Sequence, residues 1–165
     1  MEKILIDGYN LLYKDGVLKK MAERSLEEAR EQLLDSISAY RTGMMEILVV
    51  FDGAGPSPAR AMSGRTGVQV KFSPRTKTAD QVILELIDRE PRRASLTVVT
   101  SDKKDIGRIA RAEGVRWISS ESFLRRLRRP VKPGIKTDRE KPTGTSAEEL
   151  KYWLRRFGSD PSEGD

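Results

Sequence analysis

The chain has 165 residues, of which 37% are hydrophobic and 34% charged, and its net charge is +6. That is enough for one domain with a real core, or one domain and a small appendage, and no apolar stretch approaches the roughly 18 residues that cross a bilayer. Cysteine and histidine are both absent, which excludes disulfides, thiolate metal sites and every catalytic arrangement built on a thiol or an imidazole.

Met1 to Asp7 is predicted as the first strand. It starts at the N-terminus, which leaves no room for a signal peptide, and a cytoplasmic location is expected. Gly8-Tyr9-Asn10 is expected to turn the chain. Ser25 with Glu28 has the spacing of a capping box, and Leu26, Ala29, Leu33, Ile37 and Tyr40 recur at helical spacing up to Gly43. Glu46 to Phe51 is the second strand. Gly53 to Gly67 is rich in Gly, Pro and Ser and reads as a loop. Val68 to Phe72 alternates as a half-exposed third strand. Thr78 and Gln81 form a second capping box, followed by the apolar face of Val82, Ile83, Leu86 and Ile87. Leu96 to Thr100 is the fourth strand, a helix is expected from about Lys103 to Glu113 with Gly114 stopping it, and Val115 to Ile118 is the fifth strand. Ser119 or Ser120 opens a helix through Phe123, Leu124 and Leu127. Alternating strands and helices argue a three-layer α/β domain with a mainly parallel sheet over residues 1–130.

Residues 131–144 read as a linker. Residues 145–158 are predicted to form a short amphipathic helix with Leu150, Trp153, Leu154 and Phe157 on one face, and 159–165 are expected to be a disordered tail. That helix is expected to dock on the domain or on a second copy in a homodimer, the alternative being a partner-binding helix.

Three apolar runs each end in an aspartate: Asp7, Asp52 and Asp102. Short β-branched runs of this kind read as buried parallel strands, and functional groups collect beyond the carboxyl ends of such strands. Three carboxylates converging there repel one another unless neutralised, and an oxygen-only ligand set suits Mg²⁺ or Mn²⁺. Asp80, in the first turn of the helix after the third strand, could face the same crevice, although the helix dipole alone would explain an acid there. Asn10 could hold an aspartate or bond a phosphate oxygen, or simply turn the chain. Thr100 and Ser101 could bond the scissile phosphate or a carboxylate, and Asp105 could add an outer ligand or serve as an ordinary acid at a helix start.

The charge is uneven. Residues 91–136 carry 13 basic and 4 acidic side chains, a balance of +9. Arg125, Arg126, Arg128, Arg129 and Lys132 lie in this stretch, which fits a polyanion partner such as nucleic acid better than a merely solvated helix face.

Ile6-Asp7-Gly8-Tyr9-Asn10, Val50-Phe51-Asp52-Gly53, Thr78-Ala79-Asp80 and Thr100-Ser101-Asp102 together closely resemble the motif series of YacP-like NYN-domain proteins, of the PIN-like nuclease group. The resemblance covers about residues 1–130. It implies a PIN-like (Rossmann-like) sheet, an endoribonuclease dependent on Mg²⁺ or Mn²⁺, and a link to mRNA or ribosomal RNA turnover. It also implies Asp7, Asp80 and Asp102 as metal ligands, with Asn10 and Asp52 supporting catalysis. Many relatives carry a further acid four residues after the position of Asp80, where this chain has Leu84. RNA is the expected partner, with target choice coming from a larger assembly such as the ribosome. The competing expectations are a non-catalytic RNA-binding module on the same fold, another metal-dependent phosphoryl enzyme, and DNA in place of RNA.

Overall fold

A computed structural model describes residues 1–53 and 67–129. Residues 54–66 of the loop expected from Gly53 to Gly67 lie outside the described residues, as do Lys132, the linker, the C-terminal helix and the tail. The described chain runs β1 (Glu2–Asp7), α1 (Gly8–Lys14), α2 (Gly16–Arg24), α3 (Leu26–Tyr40), β2 (Met45–Phe51), β3 (Val68–Phe72), α4 (Ala79–Arg89), β4 (Leu96–Val99), α5 (Ile106–Ala112), β5 (Arg116–Ile118) and α6 (Ser120–Leu127), with a 3₁₀ turn at Arg93–Ser95.

The five strands are paired in parallel in the order β3-β2-β1-β4-β5. Successive side chains on a strand point to opposite faces, and both faces are covered. Ile4, Ile6, Val49 and Phe51 pack with Leu11, Leu12, Leu33, Ile37 and Phe123 from α1, α3 and α6. Leu5, Val50 and Val98 pack with Val82, Ile83, Ile87, Ile106 and Ala110 from α4 and α5. This is the three-layer parallel architecture the alternation argued. The chain passes from β1 outward to β2 and β3, then returns to build β4 and β5 on the other side. The switch point therefore lies between β1 and β4, where such sheets open a crevice.

The Thr78 box is formed in full: Thr78 Oγ1 accepts from Gln81 N, and Gln81 Oε1 accepts from Thr78 N. Gly114, at φ +74°, follows the end of α5. The Val115 N–H bonds back to Ala110 O at 2.8 Å, closing the helix with the left-handed residue such an ending favours.

The segment Gly8-Tyr9-Asn10 differs from expectation. It is no turn but the start of α1, with Asp7 as the N-cap whose carboxylate accepts from Asn10 N. Asp15 caps α2 in the same way, accepting from Val17 N and Leu18 N. At Gly8 the helix passes so close to the sheet that a Cβ would stand 2.4 and 2.5 Å from ring carbons of Phe51. That ring is fully buried, between Tyr9 and Phe72. Gly8→Ala should therefore destabilise the protein. Overpacking costs about 1–3 kcal/mol, against the ~1 kcal/mol that alanine returns as helix propensity. A lowered urea midpoint checks this, and an unchanged or raised midpoint contradicts it.

Candidate active site

Asp7 closes β1, the central strand, and is 8% exposed. Its Oδ1 accepts from Asn10 N at 3.3 Å, and its Oδ2 from the hydroxyl of fully buried Thr100 at 3.4 Å. Burial is the main reason its pKa is pushed up to about 6; the charges of Asp80 and Asp52 push the same way, while the two hydrogen bonds oppose the rise. Asp80, in the first turn of α4, is also raised, first by burial and then by the charges of Asp102, Asp52 and Asp105. The four predicted acids thus share one electrostatic neighbourhood, in which Asp7 feels Asp80 and Asp52, and Asp80 feels Asp102 and Asp52.

Asp7, Asn10, Asp52 and Asp80 line one open depression of about 440 Å³, together with Tyr9, Tyr13, Lys14, Thr78 and Ala79. Asp52 is oriented by Ser73. The serine hydroxyl donates to Asp52 Oδ1 at 2.9 Å and accepts from Gly53 N at 3.0 Å, and its own backbone N–H bonds Phe51 O. Asp102 stands apart from this lining. Its Oδ1 accepts from Asp105 N at 3.0 Å, and its backbone N–H donates to the same Thr100 hydroxyl that meets Asp7. Thr100 thus takes the carboxylate alternative expected of it. Asp105 holds the N-cap position of α5 without a side-chain capping bond.

Asn10 settles into a third role beside those expected. Its Oδ1 accepts from Ser101 N at 2.9 Å and from the hydroxyl of fully buried Ser120 at 2.7 Å. It thereby clamps α1 to the loop after β4 and to the start of α6. Its carboxamide oxygen is committed, so its amide nitrogen is the donor it can offer the crevice.

The donor set fits a hard divalent cation. Every side-chain candidate is an oxygen donor, and their mutual repulsion favours a positive ion among them. Among the described residues, however, no group of three or more acids stands close enough to hold an ion as placed. Leu84, the departure from the motif series, packs against the apolar core under α4. Glu85 is paired with Lys77.

Of the predicted RNA-binding residues, Arg125, Arg126, Arg128 and Arg129 are exposed at the end of α6. Arg128 also bonds Asp15 at 3.0 Å, pinning α6 to the cap of α2. Sequence reasoning missed Ser73, Ser120 and Glu121. Glu121 accepts from the Ser101 hydroxyl at 2.8 Å and stands 3.5 Å from Lys14.

A parallel sheet covered on both faces, with carboxylates beyond the carboxyl ends of β1, β2 and β4, defines a PIN-like α/β domain. Residues 4–156 match the YacP-like NYN domain, a nuclease-type domain, and the chain belongs to that family. The match runs past residue 130, so the likeness is not confined to the stretch that carries the motifs. An uncharacterised protein YacP of Bacillus subtilis is 31% identical over 156 residues, covering 89% of each chain. Two crystal structures of Rae1 (YacP) from Bacillus subtilis, one of them a tryptophan-to-leucine mutant, are 28% identical. Each covers 77% of this chain, with 74% and 75% of theirs matched and TM-scores of 0.64 and 0.62. No helix among the described residues is long and apolar enough to cross a membrane.

Proposed function

We propose that the protein is a divalent-metal-dependent endoribonuclease acting in mRNA or ribosome-linked RNA turnover. The observation that carries this reading is Asp7, a carboxylate buried at the switch point of the sheet and crowded by two further acids. A carboxylate perturbed by burial and by charged neighbours in a crevice is a candidate functional group, and membership of a nuclease-type family supports the same reading. A Mg²⁺- or Mn²⁺-type ion held by Asp7 and Asp102, with Asp80 completing the set, would lower the pKa of its water and neutralise charge on the phosphorane.

The chain's own residues do the rest. Thr100 and the Asn10 N–H fix the two oxygens of Asp7. Ser73 fixes Asp52, so that its second oxygen can orient water. Asp80, whose pKa is raised by burial and by the charges of Asp102, Asp52 and Asp105, is the carboxylate assigned to take the proton of the attacking water. Attack in line with the leaving 3′ oxygen gives a 5′-phosphate and a 3′-hydroxyl. The test is cleavage of a labelled mixed-sequence RNA with Mn²⁺, against an EDTA control. Cutting that needs the ion and leaves 5′-phosphate ends supports the reading; ion-independent cutting overturns it.

A second reading, an RNA-binding module without catalysis, is favoured by the stand-off of the acids and by Leu84. It predicts tight binding with no cutting. Both readings use the basic end of α6. Replacing Arg125 and Arg126 together by alanine should flatten the salt dependence of RNA binding, by about 0.7 in log–log slope for each phosphate no longer neutralised. Arg128 is unsuited to this test because it also holds Asp15. An unchanged slope would remove these arginines from the RNA path.

A further inference from the structure

Among the described residues the large hydrophobic side chains that stand exposed are Met1, Tyr13, Val17 and Met44. Single exposed apolar residues are ordinary and need no explanation. Tyr13 differs in two respects. The residue, 48% exposed, lines the same depression as Asp7, Asp52 and Asp80. It also ends a ladder of rings that climbs out of the core, with Phe72 to Phe51 at 5.5 Å, Phe51 to Tyr9 at 4.9 Å and Tyr9 to Tyr13 at 6.1 Å. The ladder is braced. Arg30 donates to the Tyr9 hydroxyl at 2.8 Å and lies 5.5 Å from the Phe72 ring centre. A ring supported from below and open above loses little freedom when a planar group lands on it.

Tyr13 lies six positions after Asp7 along α1, about 9 Å of helical rise. That puts the ring within reach of the base next to a phosphate held at the carboxylates. Lys14 stands beside it on the same rim, with a charge suited to the adjoining phosphate. From this geometry we infer that Tyr13 is a stacking platform for an unpaired base of single-stranded RNA flanking the scissile phosphate. Every base has a π-face, so such a platform tolerates different sequences but requires an unstacked strand. The inference rests on the ribonuclease reading for the identity of the strand and extends it by naming a positioning residue.

The test is a cycle on the full-length protein. A short single-stranded RNA is prepared intact and with one abasic ribose next to its main cut. Native protein, Tyr13→Ala, Tyr13→Leu and Tyr13→Phe are compared by KM and kcat, and by equilibrium binding in EDTA. The abasic site and Tyr13→Ala should each weaken KM and binding roughly five- to a hundredfold, and the two together should cost little more than either alone. Phenylalanine should recover most of the loss and leucine should not, which separates stacking from mere apolar bulk. Independent, multiplicative losses, or a Tyr13→Ala protein with native KM and affinity, would overturn the platform while leaving the nuclease intact. If the native protein binds but does not cut, the same cycle read by affinity decides the platform while the nuclease reading fails. If it neither binds nor cuts RNA, both fall.

Discussion

Asp7→Asn should make the cation-free protein more stable while removing its activity. The carboxyl of Asp7 is pushed from an ordinary 3.8 to about 6 by burial, reinforced by Asp80 and Asp52. A group whose pKa rises on folding binds more protons in the native state than in the unfolded chain. Stability therefore falls as pH rises from about 4 to about 6, and the whole deficit is present above that window. At about 1.4 kcal/mol per pH unit, the deficit at pH 8 is up to about 3 kcal/mol. Asparagine keeps an oxygen to accept from Asn10 N or Thr100 and carries no charge, so the variant should recover much of that energy. The variant-minus-native stability difference, followed from pH 4 to pH 8 by urea unfolding in EDTA, should grow across the window and then level off. RNA cleavage by the same variant should be lost together with the ion that Asp7 would hold. A variant no more stable at pH 8 than at pH 4, relative to native, would mean that the folded protein does not hold Asp7 as a costly charge.

Asn10→Ala should be among the most damaging single changes at the site, for structural reasons. Its side-chain oxygen accepts from Ser101 N and from the Ser120 hydroxyl, and Ser120 is fully buried. Alanine leaves both donors without their partner, at about 1–3 kcal/mol for each buried group left unsatisfied. The expected loss is about 2–4 kcal/mol, with activity lost as α6 and the loop bearing Asp102 slip relative to α1. A cycle with Ser120→Ala should show coupling of about 1 kcal/mol, since the second change removes the orphaned hydroxyl. A loss below about 0.5 kcal/mol, with no coupling, would contradict the clamp and return Asn10 to a purely chemical role.

These two residues illustrate what the sequence carries and what it hides. Strand order along the chain, the apolar runs and the Thr78 cap were legible because each is a local pattern. The paired Asp-Gly steps at Asp7-Gly8 and Asp15-Gly16 were harder. Such dipeptides read as turns, yet both aspartates cap short helices, of seven and nine residues, too brief for a clear 3.6-residue period. The acids of the site were legible as a set because each lies at a strand end or in a helix first turn. Their supports were not: Ser73 reaches back 21 positions to Asp52, and Ser120 reaches 110 positions to Asn10. Only the fold creates those pairs, and serines carry no periodic signal. Tyr13 escaped for the same reason, since its meaning comes from the ring beneath it and the depression beside it.

Asp7, Asp80 and Asp102 are proposed to share one divalent-cation site. That proposal is tested most directly by thermal unfolding of the native protein and of Asp7→Asn across a Mn²⁺ titration at pH 7.5. An ion that binds only the folded state raises Tm progressively with its concentration. That rise is expected for the native protein, and its loss is expected in the variant. An equal rise in both proteins, or none in either, would contradict the shared site.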